Sequence, residues 1–345
     1  MRAGVRRTLG LVLMLAVTVI GEISPAHAVS STLSAIRARG HVVCGVSGGP
    51  AGYSTTSVQG VWSGISADFC RALATAVVGS KDAVRFRQLP AEEQFPALQA
   101  GEIDLLSRYA GMAPGQEAPF GIRLAGILVY DGQGFMVRRS QNITSALELS
   151  GARVCVTRHS GAGHRIAGYF TGLSMPFDLV NFERWQDAVM AYADNGCQVL
   201  SADLSDLALA RQGLGDAGEH VILPELASKQ PSGPAVRSGD DEWFSVVRWT
   251  LYALIAAEQL GITSANVDSA KHATNAEVRR FLGIDMDLGT RLGLSADWTQ
   301  RIIRQVGNYG ELFDRHLGQK SPLKLERRLN NLSSNGGLHY APSFR

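Results

Sequence analysis

Ile103-Asp104-Leu105-Leu106-Ser107-Arg108-Tyr109-Ala110-Gly111-Met112-Ala113-Pro114-Gly115-Gln116 opens as an apolar run and then turns polar and glycine-rich. The start suits a buried strand over 103–106, and the remainder suits a loop leaving it. In an open α/β sheet, the segment leaving the carboxyl end of a strand is where ligands bind. Toward the amino terminus, His41-Val42-Val43-Cys44-Gly45-Val46 is another apolar run. Ser66 can N-cap a helix with Phe69, Leu73 and Val77 on one face, Asp68 in its first turn and Gly79 past its end. Val84 and Phe86 alternate with Arg85 and Arg87, as in a strand near a sheet edge, and a helix over 92–99 tolerates Pro96 near its start and stops at Gly101. Strands alternating with helices at this spacing predict a parallel sheet with right-handed crossovers.

Toward the carboxyl terminus, Gly132-Gln133-Gly134-Phe135-Met136-Val137-Arg138 is extended with no helix attached. The alternation then restarts: strands over 153–156, 177–182, 199–201 and 220–223, separated by helices over 163–170, 184–195 and 204–214. A second unattached extended piece, Ser232-Gly233-Pro234-Ala235-Val236-Arg237, follows. Two such pieces bracketing one α/β unit predict two hinge strands joining two lobes, with hinges at 135–138 and 233–237. The expected fold class is therefore α/β, with two parallel-sheet lobes facing each other across a cleft. Residues 29–135 plus 236–345 form the first lobe and 136–235 the second. The remainder reads as helical: 240–260, closed by Gly261, and a long amphipathic helix over 297–317 carrying Trp298, Ile302, Val306 and Phe313.

Residues 1–28 read as a cleaved export signal. Arg2, Arg6 and Arg7 precede an apolar stretch over 9–20, too short to span a bilayer comfortably, and Ala26-His27-Ala28 supplies small residues for cleavage after Ala28. The chain has 33 basic and 31 acidic residues. The leader takes three Arg and Glu22 with it, which leaves the remainder neutral. A neutral chain without a basic block offers no electrostatic handle for nucleic acid or an anionic membrane. The most apolar later segment, 243–257, contains Arg248 and lies between Asp241 and Glu258, so it reads as a buried helix. Four cysteines in an exported chain predict disulfides. Of three possible pairings, Cys44–Cys70 with Cys155–Cys197 is preferred, because each bridge then closes inside one sheet unit. No C-x-x-C and no His pair at zinc spacing is present, so no metal or cofactor is expected.

Two motifs imitate catalytic or cofactor sites. Gly45-Val46-Ser47-Gly48-Gly49 fits the pattern of a nucleophile elbow, but Gly49-Pro50-Ala51-Gly52 prevents the helix that must start there. Gly161-Ala162-Gly163-His164-Arg165-Ile166-Ala167 follows a strand and opens a helix, as in a dinucleotide fingerprint, yet the sixth position is Ile166. What survives is an anion-attracting helix N-terminus, suited to a carboxylate, with Arg158 and His159 beside it. Asp203, just after the strand over 199–201, is placed to bind an ammonium group or to N-cap the next helix, and the two roles are compatible.

With these pieces in place, the chain resembles periplasmic solute-binding proteins of amino-acid ABC transporters, in particular the general L-amino-acid-binding family within the family 3 extracellular solute-binding proteins. The likeness runs end to end. It is carried by Val43-Cys44-Gly45-Val46-Ser47, Trp62-Ser63-Gly64-Ile65, Phe69-Cys70-Arg71-Ala72 and Tyr130-Asp131-Gly132-Gln133-Gly134-Phe135-Met136-Val137-Arg138 in the first part of the chain. Later come Ser145-Ala146-Leu147-Glu148-Leu149-Ser150-Gly151, Gly233-Pro234-Ala235-Val236-Arg237, Trp249-Thr250-Leu251-Tyr252-Ala253-Leu254-Ile255, Ser264-Ala265-Asn266-Val267-Asp268, Gln305-Val306-Gly307-Asn308-Tyr309-Gly310 and the tail Gly336-Gly337-Leu338-His339-Tyr340-Ala341-Pro342. All four cysteines fall at family positions.

The resemblance implies a type II periplasmic-binding-protein fold with a helical C-terminal extension, which closes on a free amino acid and delivers it to an inner-membrane permease. The α-carboxylate would be gripped by an Arg of the first-lobe loop and by amides at a second-lobe helix N-terminus, and the ammonium by a second-lobe aspartate and by hydroxyls or carbonyls of the same first-lobe loop. Asp203 matches that aspartate, and Ser107 and Arg108 match the start of the first-lobe loop, followed by Tyr109, a further candidate. At the expected Arg stands Gln116, and at the hydroxyl position Gly111. The family's Thr-Gly-Thr-Thr stretch is replaced by Arg158-His159-Ser160-Gly161. A neutral amide cannot form the charged bidentate clamp, a loss of about a hundredfold in affinity if nothing compensates. Arg158 or His159 is the expected substitute. Tyr53 completes the candidate ligand-binding set.

The expectation is thus a monomeric periplasmic binding protein, not an enzyme, that takes an amino acid or related small zwitterion or acid. One rival is a cyclohexadienyl dehydratase-like enzyme on the same fold, which needs a carboxyl general acid in the cleft, with Glu183 as the candidate. Another is a sensor or scaffold that keeps the fold without transport.

Overall fold

Parallel pairing begins at β1 (Val42–Val46), an apolar strand that the flanking strands bury on both edges. A computed structural model of the chain describes residues 31–109, 119–158 and 161–345; of Tyr109 only the backbone is included. The segment expected to be an export signal, Gly111, Gln116, His159 and Ser160 therefore lie outside the described residues.

A small hairpin, β2 (Thr55–Thr56) with β3 (Trp62–Ser63), follows β1 and leads into the helix Ile65–Val78. Ser66 does not cap that helix. Gly64 holds the N-cap position at φ 122°, where a Cβ would meet the Tyr53 carbonyl at 2.1 Å. The Gly52 and Tyr53 carbonyls accept from the amides of Ile65 and Ser66 at 2.8 and 3.0 Å, so backbone satisfies the helix start and fixes Tyr53. Gly79 ends the helix in the left-handed conformation, as expected.

β4 (Val84–Gln88), the helix Ala91–Gln99 and β5 (Leu105–Tyr109) complete the first alternation. β6 (Ile122–Leu124) and β7 (Val129–Asp131) come next, and β8 (Gln133–Arg138) opens the second sheet. That sheet continues with β9 (Ala152–Thr157), β10 (Phe177–Phe182), β11 (Val199–Asp203) and β12 (His220–Ile222), before β13 (Gln230–Arg237) returns to the first. The strand orders are β4-β1-β5-β13-β6, with β7 also on β13, and β10-β9-β11-β8-β12. In each sheet three strands run parallel and the strand entering or leaving the lobe runs antiparallel. β4 is the edge strand its alternating arginines predict.

Three expectations differ from this architecture. Strand β5 runs to Tyr109, so Ser107 and Arg108 are strand residues and not loop residues, because pairing with β13 (Ala235 opposite Leu106, Gly233 opposite Tyr109) extends it beyond β1. Residues 230–235 belong to the first sheet, whereas the boundary at 235 assigned them to the second lobe. The segment 297–317 is two helices, Trp298–Gln305 and Tyr309–His316. Gly307 at φ 105° breaks it, and Asn308 with Glu311 forms a capping box that starts the second helix. Its apolar face still points inward: Trp298, Ile302, Val306 and Phe313 are buried.

The first-lobe core gathers Phe69 from the helix after the hairpin, Trp243 from Asp241–Gln259, and Trp298 and Phe313. Each such side chain contributes about 1.5–3 kcal/mol on burial. The Trp243 indole also donates to the Asp104 carbonyl at 2.9 Å, which ties the long helix to the start of β5. Disulfides join Cys44 to Cys70 and Cys155 to Cys197, the preferred pairing, each within one lobe. Among the described residues no helix is long and apolar enough to cross a membrane, and no group of side chains is arranged to hold a metal ion.

Candidate functional site

β7 passes into β8 at Gly132, beside the carboxyl end of β11, where Gln133 stands opposite Asp203. From the first lobe, β5 brings Ser107 and Arg108. Ser107 is fully buried and its hydroxyl has no hydrogen-bond partner among the described residues; the Arg108 guanidinium carbon stands 4.3 Å above the centre of the Tyr53 ring, a cation–π contact. Tyr53 is itself buried, and its hydroxyl donates to the Asp131 carboxylate at 2.7 Å. Burial, reinforced by Asp131, drives the Tyr53 pKa well above its ordinary value, so the phenol stays a donor.

From the second lobe, Gly161 in the left-handed conformation turns the chain from β9 into the helix Ala162–Gly172, and Arg165 sits in its first turn. Gln133, fully buried at the start of β8, orients that arginine: its side-chain Oε1 accepts from Arg165 Nε at 2.7 Å. The Gln133 amide nitrogen in turn donates to Ser201 Oγ at 3.0 Å and to the Ala162 carbonyl at 3.3 Å. Asp203 ends β11, and Asp206 lies one turn on in the helix Leu204–Gly213. Gln230, the first residue of β13, faces both Asp203 oxygens with its side-chain amide at 3.0 Å, and donates to them in the orientation that turns its nitrogen that way.

Arg165, Asp203, Asp206 and Gln230, with Thr157, Ala162, Trp185 and Ala202, line a cavity of about 190 Å³. It is lined by opposed charges. Burial, then the Asp131 and Asp206 carboxylates, push the Asp203 pKa up to about 6, against the pull of Arg165 and Arg108. Burial and Asp131 also raise that of Asp206. Two carboxyl groups held this way gain from a cation placed between them. Arg165 beside a helix N-terminus offers the complementary anion site.

The residues singled out from the sequence divide accordingly. Asp203 faces this cavity and Gly161 shapes its helix, whereas Arg108 and Tyr53 do not line it: Tyr53 is buried, and both are coupled to Asp203 electrostatically. Arg158 does not line the cavity: it pairs with Glu183 at 3.1 Å, and both side chains are more than half exposed. The general-acid candidate Glu183 is thus held at the surface. Arg165, Asp206, Gln230, Trp185 and Gln133 were missed. Arg165 and Asp206 carry a local signal, being four residues from Gly161 and three from Asp203. Gln230 carries none, because only the return of β13 brings it to Asp203.

No protein-family model matches the chain. The general L-amino acid-binding periplasmic protein AapJ of Rhizobium johnstonii is 46% identical over 318 residues, 92% of this chain and 93% of that protein. The glutamate/glutamine/aspartate/asparagine-binding protein BztA of Rhodobacter capsulatus is 39% identical over 317 residues, covering 92% and 94%. Among solved structures, an ABC transporter periplasmic binding protein from Brucella ovis, with glutathione bound, is 43% identical at a TM-score of 0.77 and covers 91% of this chain and 99% of its own. The chain belongs to the periplasmic amino-acid-binding proteins of ABC transporters, the components that capture substrate for the importer.

Proposed function

We propose that the ligand carries a free α-amino-acid head group, with its ammonium between Asp203 and Asp206 and its carboxylate on Arg165 and the helix N-terminus at Ala162. The observation that carries this reading is the pairing of two crowded carboxyl groups with one oriented arginine around a single cavity. Arg108 stacks on Tyr53 as the first-lobe cation acting on the same carboxylates, and Arg165 serves as carboxylate partner in place of Arg158, which pairs with Glu183. Free amino acids have such a head group. So does glutathione, whose γ-glutamyl end keeps its α-ammonium and α-carboxylate, and glutathione is the ligand of the Brucella ovis relative.

Capture then proceeds by hinge closure, with the chain bending not at 135–138 and 233–237, which lie inside β8 and β13, but at Gly132 and across 223–229, where it passes between the sheets. Residues 1–28 are removed on export, and the closed monomer docks on an inner-membrane permease. The test is calorimetric titration of the exported protein with L-glutamate, L-glutamine, L-aspartate, L-asparagine, L-alanine, L-arginine and reduced glutathione at pH 7.5. Saturable binding of at least one is expected; no heat from any of them at millimolar concentration overturns the reading. Incubation with prephenate or arogenate is expected to leave both unchanged.

A further inference from the structure

Asp203 occupies the N-cap position of the helix Leu204–Gly213, with the extended backbone of a cap residue (φ −60°, ψ 146°). Aspartate is among the residues favoured there, because its carboxylate can accept from the second or third helical amide. Yet the Asp203 side chain accepts nothing from its own helix. A carboxylate from another element stands at the helix start. Asp131, buried at the end of β7, accepts from the Leu204 amide at 3.2 Å and from Ser205 Oγ at 3.2 Å, and the Gly132 carbonyl shares the Leu204 amide at 3.1 Å. The Asp131 oxygen that meets Ser205 also takes the Tyr53 hydroxyl of the first lobe at 2.7 Å.

We propose that Asp131 is a positioning residue for ligand capture: by holding the N-terminus of the Leu204–Gly213 helix from the end of β7, it leaves the Asp203 carboxylate aimed into the cavity. The inference deepens the ligand reading given above and rests on it for its purpose, although not for its test. It also gives the Tyr53 contact a role. One buried carboxylate joins a first-lobe loop, the end of β7 and a second-lobe helix, so the position of the lobes and the availability of Asp203 are coupled through Asp131. The groups that face Asp203 are Asp131 from β7, Asp206 from its own helix, Arg165 from the Ala162–Gly172 helix, Arg108 from β5, Tyr53 from the loop before β2 and Gln230 from β13.

The test is a double-mutant cycle between Asp131→Ala and Asp203→Ala, read by thermal midpoint and by hydrogen exchange at the Ser205 and Asp206 amides. In the otherwise unchanged protein at pH 7.5, Asp203→Ala is expected to leave these amides as they are and not to lower the midpoint. In the Asp131→Ala background Asp203 falls back onto its own helix, so removing it is expected to lower the midpoint by a further ~2–4 °C and to speed exchange at these amides. Equal effects of Asp203→Ala in both backgrounds overturn the proposal. Should Asp131→Ala fail to fold, Asp131→Asn carries the test through the carboxyl carbon resonance of Asp203. That resonance is expected to titrate at lower pH once the neighbouring charge is gone, and an unmoved titration overturns the proposal. None of these measurements uses a ligand, so failure of the ligand reading leaves this test standing.

Discussion

The His316 imidazole Nε2 and the Asp68 carboxylate lie 2.7 Å apart, linking the end of the Tyr309–His316 helix to the first turn of Ile65–Val78. Arg71 and Arg315 reach the same carboxylate at 2.7 and 2.6 Å. Burial by itself would raise the Asp68 pKa, but the His316 bond and the two guanidinium groups outweigh it and hold it at about 2. The folded chain therefore keeps this group ionised below the value of roughly 4 that it has when unfolded. The stabilisation is fully present above pH ~4 and is lost as the pH falls through ~2, an effect of about 2.5 kcal/mol. Asp68→Asn should cost about 2–4 kcal/mol at pH 7 in urea denaturation, and the gap from the parent should close toward pH 2. A gap of constant size would contradict this assignment.

His339 acts in an earlier window. Its ring is buried 4.2 Å from the Tyr309 ring centre and 5.2 Å from that of Tyr130, and its Nε2 has no hydrogen-bond partner among the described residues. Burial, then Arg327, push its pKa down to about 3. The unfolded chain takes up the proton near pH 6.5 and the folded chain does not, so stability falls by up to about 1.4 kcal/mol per pH unit as the pH drops from ~6.5 toward ~3. His339→Phe should flatten denaturation midpoints between pH 6.5 and 4.5. A slope identical to that of the parent would show that the loss arises elsewhere.

Asp203 has the opposite sign. Its raised pKa means the folded state holds a proton that the unfolded state releases, so its ionisation costs stability above pH ~6 and the cost disappears as the pH falls toward ~4. Asp203→Asn should leave the ligand-free protein as stable or more stable at pH 7.5. It should weaken binding of an ammonium-bearing ligand by about ten- to a hundredfold. Calorimetry of the parent should show affinity falling by up to tenfold per pH unit below ~6; affinity that rises on acidification would exclude Asp203 as the ammonium partner.

Arg165 should separate recognition from folding. Arg165→Met removes the carboxylate partner and leaves the Gln133 side-chain Oε1 without its donor. A loss of about ten- to a hundredfold in affinity is expected with a shift of only a few degrees in thermal midpoint. Arg165→Lys should recover part of the affinity, since a point charge replaces the fork without its two-pronged geometry. Undiminished binding by the methionine variant would place the ligand carboxylate on another group.

Most of the architecture is legible along the chain because its signals are local. Apolar runs, Gly79 and Gly261 past helix ends, and two extended pieces without helices all report on neighbours a few residues away. The differences arise where a distant partner decides. Strand β5 continues through Ser107 and Arg108 because β13 pairs with it, more than 120 residues later in the chain. Ser66 loses the cap role because the carbonyls of Gly52 and Tyr53 already serve the helix start. The amphipathic pattern over 297–317 predicts one buried face correctly, and it is silent about the break that Gly307 and Asn308 impose.

The site divides in the same way. Asp203, Gly161, Arg108 and Tyr53 stand out in the sequence by residue type, spacing and resemblance, and the chain's place among amino-acid-binding proteins follows from motifs that run its whole length. Only the tertiary structure decides that Arg165 lines the cavity while Arg158 pairs with Glu183 at the surface. Only strand order sets Gln230 on Asp203 and brings Asp131 from the hinge to the helix that Asp203 leaves uncapped. Periodicity and capping are short-range properties of the covalent chain, whereas charge pairing in a cleft depends on which strands lie side by side, and that is settled by non-local packing.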